Sequence, residues 1–151
     1  MSCYAVTILT PMAFSPEEIE RATNVLASLA EPLVDGDFWI SGQSFCFQFT
    51  EPDEDERDIV ISGWAPRGAL QIASRSGSKI SHFIIGVLSS RLARMFDGWI
   101  ELGGPLTLAT SNPSILTYDG VLGRIQTAYG VDVISPSVMD YWLGSDEFRL
   151  I

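Results

Sequence analysis

The segment from Lys79 to Asp97 has the longest helical pattern in the chain. Its apolar residues recur at intervals of three and four, at Ile80, Phe83, Ile84, Val87, Leu88, Leu92, Met95 and Phe96. An amphipathic helix is stabilised mainly by burial of its apolar face, so a stripe this wide needs a cover. We therefore predict a central helix over about 79–96 that packs against a sheet.

Two further helices are predicted by signals at their first residues. Ser15 is followed by a proline and, three residues on, by Glu18, which together form a capping box with proline at the first helical position. This pattern predicts a helix from about Pro16 to Ala30. The serine-proline signal recurs at Ser135 and predicts a short last helix that ends near Gly144.

Most other segments are typical of strands, because short apolar and β-branched runs alternate with turn residues. The predicted strands are Tyr4–Leu9, Phe38–Ile40, Phe45–Phe49, Asp58–Trp64, Ala69–Ala73, Trp99–Leu102, Arg124–Ala128 and Val131–Ile134. This order lacks the regular alternation of a doubly wound parallel sheet. We predict an α+β fold: a mainly antiparallel sheet with two principal helices packed on one face and a short C-terminal helix. A length of 151 residues fits one domain, so residues 1–151 are expected to form a single α+β domain.

The charge of the chain disfavours several classes of partner. Nineteen acidic residues against nine basic ones give a formal net charge of −10. This charge opposes binding to nucleic acid or to an anionic membrane surface. The N-terminal segment lacks the basic start of a signal peptide, and no apolar run is long enough to span a bilayer. We expect a cytoplasmic protein that contacts neither nucleic acid nor membrane.

Six carboxylates stand within residues 51–58, between two predicted strands: Glu51, Asp53, Glu54, Asp55, Glu56 and Asp58. The central glycine and distal glutamate of a calcium loop are missing. Two interpretations remain, a solvated connection that protects a strand edge and a docking surface for a basic protein. For the docking surface, Trp39 and Trp64 are candidate apolar anchors, because tryptophan is enriched among residues that dominate binding energy.

No arrangement of residues indicates an enzyme. His82 is the only histidine, and no G-x-S-x-G nucleophile elbow accompanies it. One histidine and two separated cysteines do not give zinc-ligand spacing. We predict no catalytic residue, no cofactor and no metal. Cys3 and Cys46 lie in apolar runs, where reduced thiols are most often small core residues.

An alternative interpretation uses the cations that follow the acidic stretch. Arg75 and Lys79 flank a serine-rich turn before the central helix, and His82 lies one turn further. Amides, hydroxyls and cations at a helix N-terminus suit an anion, although the spacing of a Walker loop is absent. Under this alternative, the chain is a small enzyme or ligand-binding domain for an anionic metabolite.

Two passages resemble segments of known proteins: LSSRLARMFDGWIELGG at residues 88–104 and YWLGSDEFRL at residues 141–150. They are similar to passages in small bacterial proteins of unknown function, some of which look like immunity proteins encoded beside polymorphic or secreted toxins. The resemblance implies a non-enzymatic, single-domain protein that occludes the active site of a toxin acting in the cytosol. It assigns no binding residue to this sequence.

Overall fold

The structure is a computed structural model that describes residues 4–32, 37–106, 123–146 and 148–151. In chain order its elements are β1 (Tyr4–Thr10), α1 (Pro16–Leu29), β2 (Glu31–Pro32), β3 (Phe38–Ile40), β4 (Gln43–Thr50), α2 (Glu54–Arg57), β5 (Gly68–Ser74), α3 (Lys79–Met95), β6 (Trp99–Glu101), β7 (Arg124–Gln126), β8 (Asp132–Ile134) and α4 (Pro136–Leu143). Within the described residues, the strands form one sheet in the order β2-β3-β4-β5-β1-β6-β8-β7. All neighbouring strands are antiparallel. The predicted α+β class is confirmed.

Helix α1 begins where the sequence predicts. The Glu18 amide donates to the Ser15 hydroxyl at 3.2 Å, and the Ser15 amide donates to the Glu18 carboxylate at 3.1 Å. These two bonds satisfy orphan amides of the first turn. Ala22 and Leu26 are buried in the main core, on the same sheet face as α3 and α4.

Helix α3 spans the predicted range, but only part of the predicted apolar stripe is buried. Leu88, Leu92 and Phe96 are buried, whereas Ile80, Phe83 and Val87 are 55%, 50% and 41% exposed. Small residues occupy much of the buried face: Ser81, Gly86, Ser89, Ser90 and Ala93. A Cβ atom added to Gly86 would lie 2.6 Å from the Leu143 Cδ2 atom, so α4 approaches the α3 backbone closely. This close approach leaves part of the apolar stripe at the surface.

The other sheet face is covered by residues 58–67. The predicted strand Asp58–Trp64 is wrong, since this part forms only an isolated antiparallel bridge between Ile61 and Trp64. Ser62 and Gly63 make the turn with φ of +47° and +86°. The buried residues of this second core are Leu9, Ile59, Ile61, Ala69 and Val133. The apolar run within residues 58–64 therefore covers one face of the sheet instead of adding a strand to it.

Cys46 is exposed on β4, so the expectation of a core thiol is wrong for it. Cys3 lies outside the described residues. No helix in the described ranges is long and apolar enough to cross a bilayer.

Candidate partner-binding surface

The acidic segment, residues 51–58, is the first part of the connection between β4 and β5, which are hydrogen-bonded neighbours in the sheet. Strand β4 ends at Thr50, which pairs with Ala69 of β5. The expected loop contains the one-turn helix α2. The Glu56 amide donates to the Asp53 carboxylate and the Asp53 amide donates to Glu56, both at 2.8 Å. This capping box holds the turn in one conformation.

The six carboxylates point in two directions. Glu51, Asp53, Glu54, Asp55 and Asp58 are exposed. Glu56 is buried and faces the sheet instead of solvent, unlike the sequence expectation for this residue. The Glu56 side chain turns back along α2 to complete the capping box, and this side of α2 is the buried one.

Glu56 meets two residues that come from distant parts of the chain. Its carboxyl group lies close enough to that of Glu101 on β6 to influence the pKa of Glu101. The Tyr129 hydroxyl, in the turn between β7 and β8, donates to Glu101 Oε2. We call Glu56, Glu101 and Tyr129 the carboxyl cluster. It ties the acidic segment to the second face of the sheet.

Burial is the main cause of the raised pKa values of Glu101 and Tyr129 in this cluster. Burial and the neighbouring Glu56 raise the pKa of Glu101 to about 8, against the opposing effect of the Tyr129 hydrogen bond. Burial also raises the pKa of Tyr129, and its bond to Glu101 adds to this effect. A carboxyl group surrounded by acids gains by keeping its proton. The environment of Glu101 therefore favours the protonated form of its carboxyl group.

A groove of about 280 Å³ lies beside the cluster. Its apolar wall includes Ile59, Val60 and Ile125, and its carboxylates are Asp55 and Asp58. Val60 is 69% exposed. An apolar wall next to carboxylates suits the long stem and charged end of a lysine or arginine side chain.

The turn that carries Tyr129 is fixed by a buried ion pair. Arg124 Nη2 lies 3.0 Å from Asp132 Oδ2, and both side chains are buried. The same carboxylate oxygen accepts from the Leu106 amide at 2.7 Å. Sequence analysis missed Glu101, Tyr129 and this ion pair, because no local motif joins residues so far apart in the chain.

The two tryptophans proposed as anchors lie apart from each other. Trp39 is 39% exposed and pairs with Ser44 at the opposite end of β4. Strand geometry then separates Trp39 from the start of the acidic segment by about 20 Å. Trp64 is half-buried and packs against the second core. The structure places Trp64, but not Trp39, in the connection that carries the carboxylates.

The residues of the anionic-metabolite alternative do not share a surface. Arg75 and Lys79 are exposed, whereas His82 is only 6% exposed. The His82 Nδ1 atom accepts from the Leu150 amide at 3.0 Å, and its ring lies against Tyr4. Burial lowers the pKa of His82, and the charge of Arg149 adds to this effect. The imidazole is therefore built into the core as a neutral acceptor.

Metal ligation finds no support in the described residues, which contain no group of three or more histidine, cysteine or acidic side chains able to hold an ion. The serine-rich turn uses its hydroxyls internally. Ser78 caps α3, and Ser74 donates to the Ser44 carbonyl at 3.1 Å.

Of the three comparisons with known proteins, the one with family models gave a match. A search of curated proteins found no match. A search of solved structures also found no match. A family model described as "Family of unknown function (DUF6368)" matches residues 4–151. Because the match covers nearly the whole chain, this protein belongs to the DUF6368 family.

Proposed function

We propose that this protein is a non-enzymatic inhibitor that binds a cognate bacterial toxin and neutralises it in the cytoplasm. The observation that carries the proposal is the acidic segment, in which five carboxylates are exposed on a turn held by a capping box. Surface carboxylates that are fixed before binding lose less conformational freedom when a partner docks. The resemblance of residues 88–104 and 141–150 to passages in immunity proteins is a second argument for this function.

The proposed partner surface is a cationic cleft. A toxin that acts on nucleic acid or nucleotides needs such a cleft for phosphate, and the carboxylates of the acidic segment occupy it as phosphate substitutes. The groove beside Asp55 and Asp58 receives one lysine or arginine side chain of the toxin. Charge then sets the association rate, while the apolar wall at Val60 slows dissociation.

The test removes charge without disturbing the turn. Glu54→Gln, Asp55→Asn and Asp58→Asn are combined, while Asp53 and Glu56 keep the capping box. Association with the product of a neighbouring toxin-like reading frame is measured by stopped flow at several salt concentrations. We expect the association rate to fall about 10- to 100-fold at low salt, and its salt dependence to weaken.

A matched control changes the same amount of charge elsewhere. Glu17, Glu20 and Glu31 are exposed residues outside the acidic segment, and their replacement by glutamine also removes three negative charges. This control should slow association much less. Equal effects of the two triple variants would contradict the proposed surface. Failure of the neighbouring product to bind the wild-type protein would contradict the proposed function, whereas unchanged protection of cells by the first variant would contradict only the proposed surface.

A further inference from the structure

The exposed side of α3 carries an apolar stripe with a cation at each end. Phe83 and Val87 are 50% and 41% exposed and lie one turn apart, and Lys79 and Arg91, both exposed, lie one turn beyond them. Residues spaced by four lie above one another on the same face of a helix. Ile80, which is 55% exposed, widens the stripe next to Lys79. We call these five residues the α3 stripe, which is about 18 Å long from its first to its last residue.

A groove of about 540 Å³ lies beside the first half of the α3 stripe. Its apolar lining includes Ile80 and Phe83 from α3 and Leu143 and Phe148 from the C-terminal part of the chain. A groove of this size holds one or more large apolar side chains. The α3 stripe therefore combines a surface along which another helix packs with a groove for an apolar anchor, as in helix-in-groove recognition.

The charges at the two ends of the α3 stripe are positive. Residues 59–96 include no acidic side chain. Within the described residues, no carboxylate forms an ion pair with Lys79 or Arg91. Asp146 lines the groove together with Lys79 and offsets part of its charge. The unbalanced positive charge is therefore greatest at Arg91, and a complementary partner needs a carboxylate there.

These charges distinguish between the candidate occupants of the α3 stripe. Antiparallel packing of the stripes of two copies would bring Arg91 of each copy to the Lys79 end of the other, cation against cation. An anionic membrane is an extended surface that the net charge of −10 opposes, whereas a single helix responds mainly to charges within a Debye length of about 8–10 Å. We propose that the α3 stripe binds an amphipathic helix of an acidic protein, with apolar side chains on Phe83 and Val87 and a carboxylate at Arg91. The stripe and residues 58–67 lie on opposite faces of the sheet, so this binding does not use the surface proposed for the toxin.

The probe is a synthetic helical peptide of about 18 residues with leucine along one face and glutamate along the other. A matched peptide carries lysine in place of every glutamate. Methyl NMR follows the signals of Ile80 and Val87, so that only binding at the α3 stripe is counted. We expect the glutamate peptide to shift both signals to saturation, with an affinity about tenfold above that of the lysine peptide. This order is the opposite of the one that the net charge of the protein favours.

Two matched pairs of variants separate the α3 stripe from the rest of the surface. Arg91→Glu should weaken binding of the glutamate peptide about tenfold, whereas Arg67→Glu, the same change on the other side of the sheet, should leave it unchanged. Phe83→Ser should also weaken it about tenfold through loss of the apolar contact, whereas Leu29→Ser, at a 43% exposed position of α1, should not. Far-ultraviolet circular dichroism checks that each variant is folded. If Phe83→Ser does not fold, the arginine pair and the two peptides keep the test decisive.

Three results would overturn the inference: no saturable shift at Ile80 and Val87, equal affinity of the two peptides there, or equal effects within either matched pair. Self-association in sedimentation equilibrium that Phe83→Ser abolishes would identify a second copy as the occupant and would also overturn it. Binding to phosphatidylglycerol vesicles that Phe83→Ser abolishes would do the same in favour of a membrane. Because no toxin is used, failure of this test leaves the proposed function untouched, and failure to bind a toxin leaves the α3 stripe untouched.

Discussion

At the residue scale, His82 shows how a polar side chain with an apparent chemical role is used for stability. Its Nδ1 atom accepts from the Leu150 amide, and the ring is buried. Burial lowers the pKa of His82 below 6.5, so the unfolded chain takes up the proton first and stability falls as the pH drops through this range. Sequence analysis excluded a catalytic histidine from missing motifs, but the Leu150 contact depends on where the C-terminus returns.

The prediction for His82 compares the wild type with His82→Asn, which keeps an acceptor for the Leu150 amide and does not titrate. Between about pH 7.5 and 5.5, the wild type should lose more unfolding free energy than the variant, because only the wild type has a group that the unfolded chain protonates first. Urea denaturation at the two pH values measures this. Glu101 is present in both proteins, so its opposite pH dependence cancels. Equal losses would show that the imidazole does not resist protonation.

At the element scale, helix α3 shows that apolar periodicity predicts the range of a helix but not all of the residues on its buried face. The spacing of apolar residues predicted the range of the helix, because 3.6-residue periodicity is a local property. It did not predict which part of the apolar stripe is buried, because α4 packs closely on the small residues Gly86 and Ser90. By contrast, the capping box at Ser15 was predicted and confirmed in full, since all its atoms lie within four residues.

Two adjacent residues of α3 give a matched test of its orientation. Leu88 is 4% exposed and Val87 is 41% exposed. Leu88→Ala should reduce the free energy of unfolding by about 2–5 kcal/mol through lost burial and a cavity. Val87→Ala should reduce it by less than about 1 kcal/mol. Chemical denaturation of both variants measures the difference, and similar losses would mean that the helix is rotated from the orientation described here.

At the scale of the whole molecule, the central strand joins two cores. Ile8 of β1 belongs to the core under the helices, and its neighbour Leu9 belongs to the second core. The sequence predicted the first core from helix and strand patterns. It did not predict the second, because the β-branched run at Ile59 suits either a strand or a cover for a sheet. The carboxyl cluster could not be predicted for the same reason, because its three residues come together only when residues 58–67 cover this face of the sheet.

Since both cores share β1, we predict that they unfold together. Trp142 lies in the core under the helices, and Trp64 packs on the second core. Urea unfolding should give coincident transitions by far-ultraviolet circular dichroism, by the fluorescence of Trp142→Phe and by the fluorescence of a Trp64→Phe, Trp99→Phe double variant, since Trp99 also packs on the second core. Midpoints that stay separated after correction for the stability of each variant would mean that the second core is an independent unit.

The connection between β4 and β5 has an inner side that touches the sheet and an outer side that does not. Glu56, Ile59 and Ile61 lie inward, whereas Glu54, Asp55, Asp58 and Val60 lie outward. Substitutions at the outer positions leave both cores intact, so mutation and selection are free to alter recognition there without first solving a folding problem. Inner positions lack that freedom. Within this connection, the positions at which recognition can change are therefore different residues from those on which the fold depends.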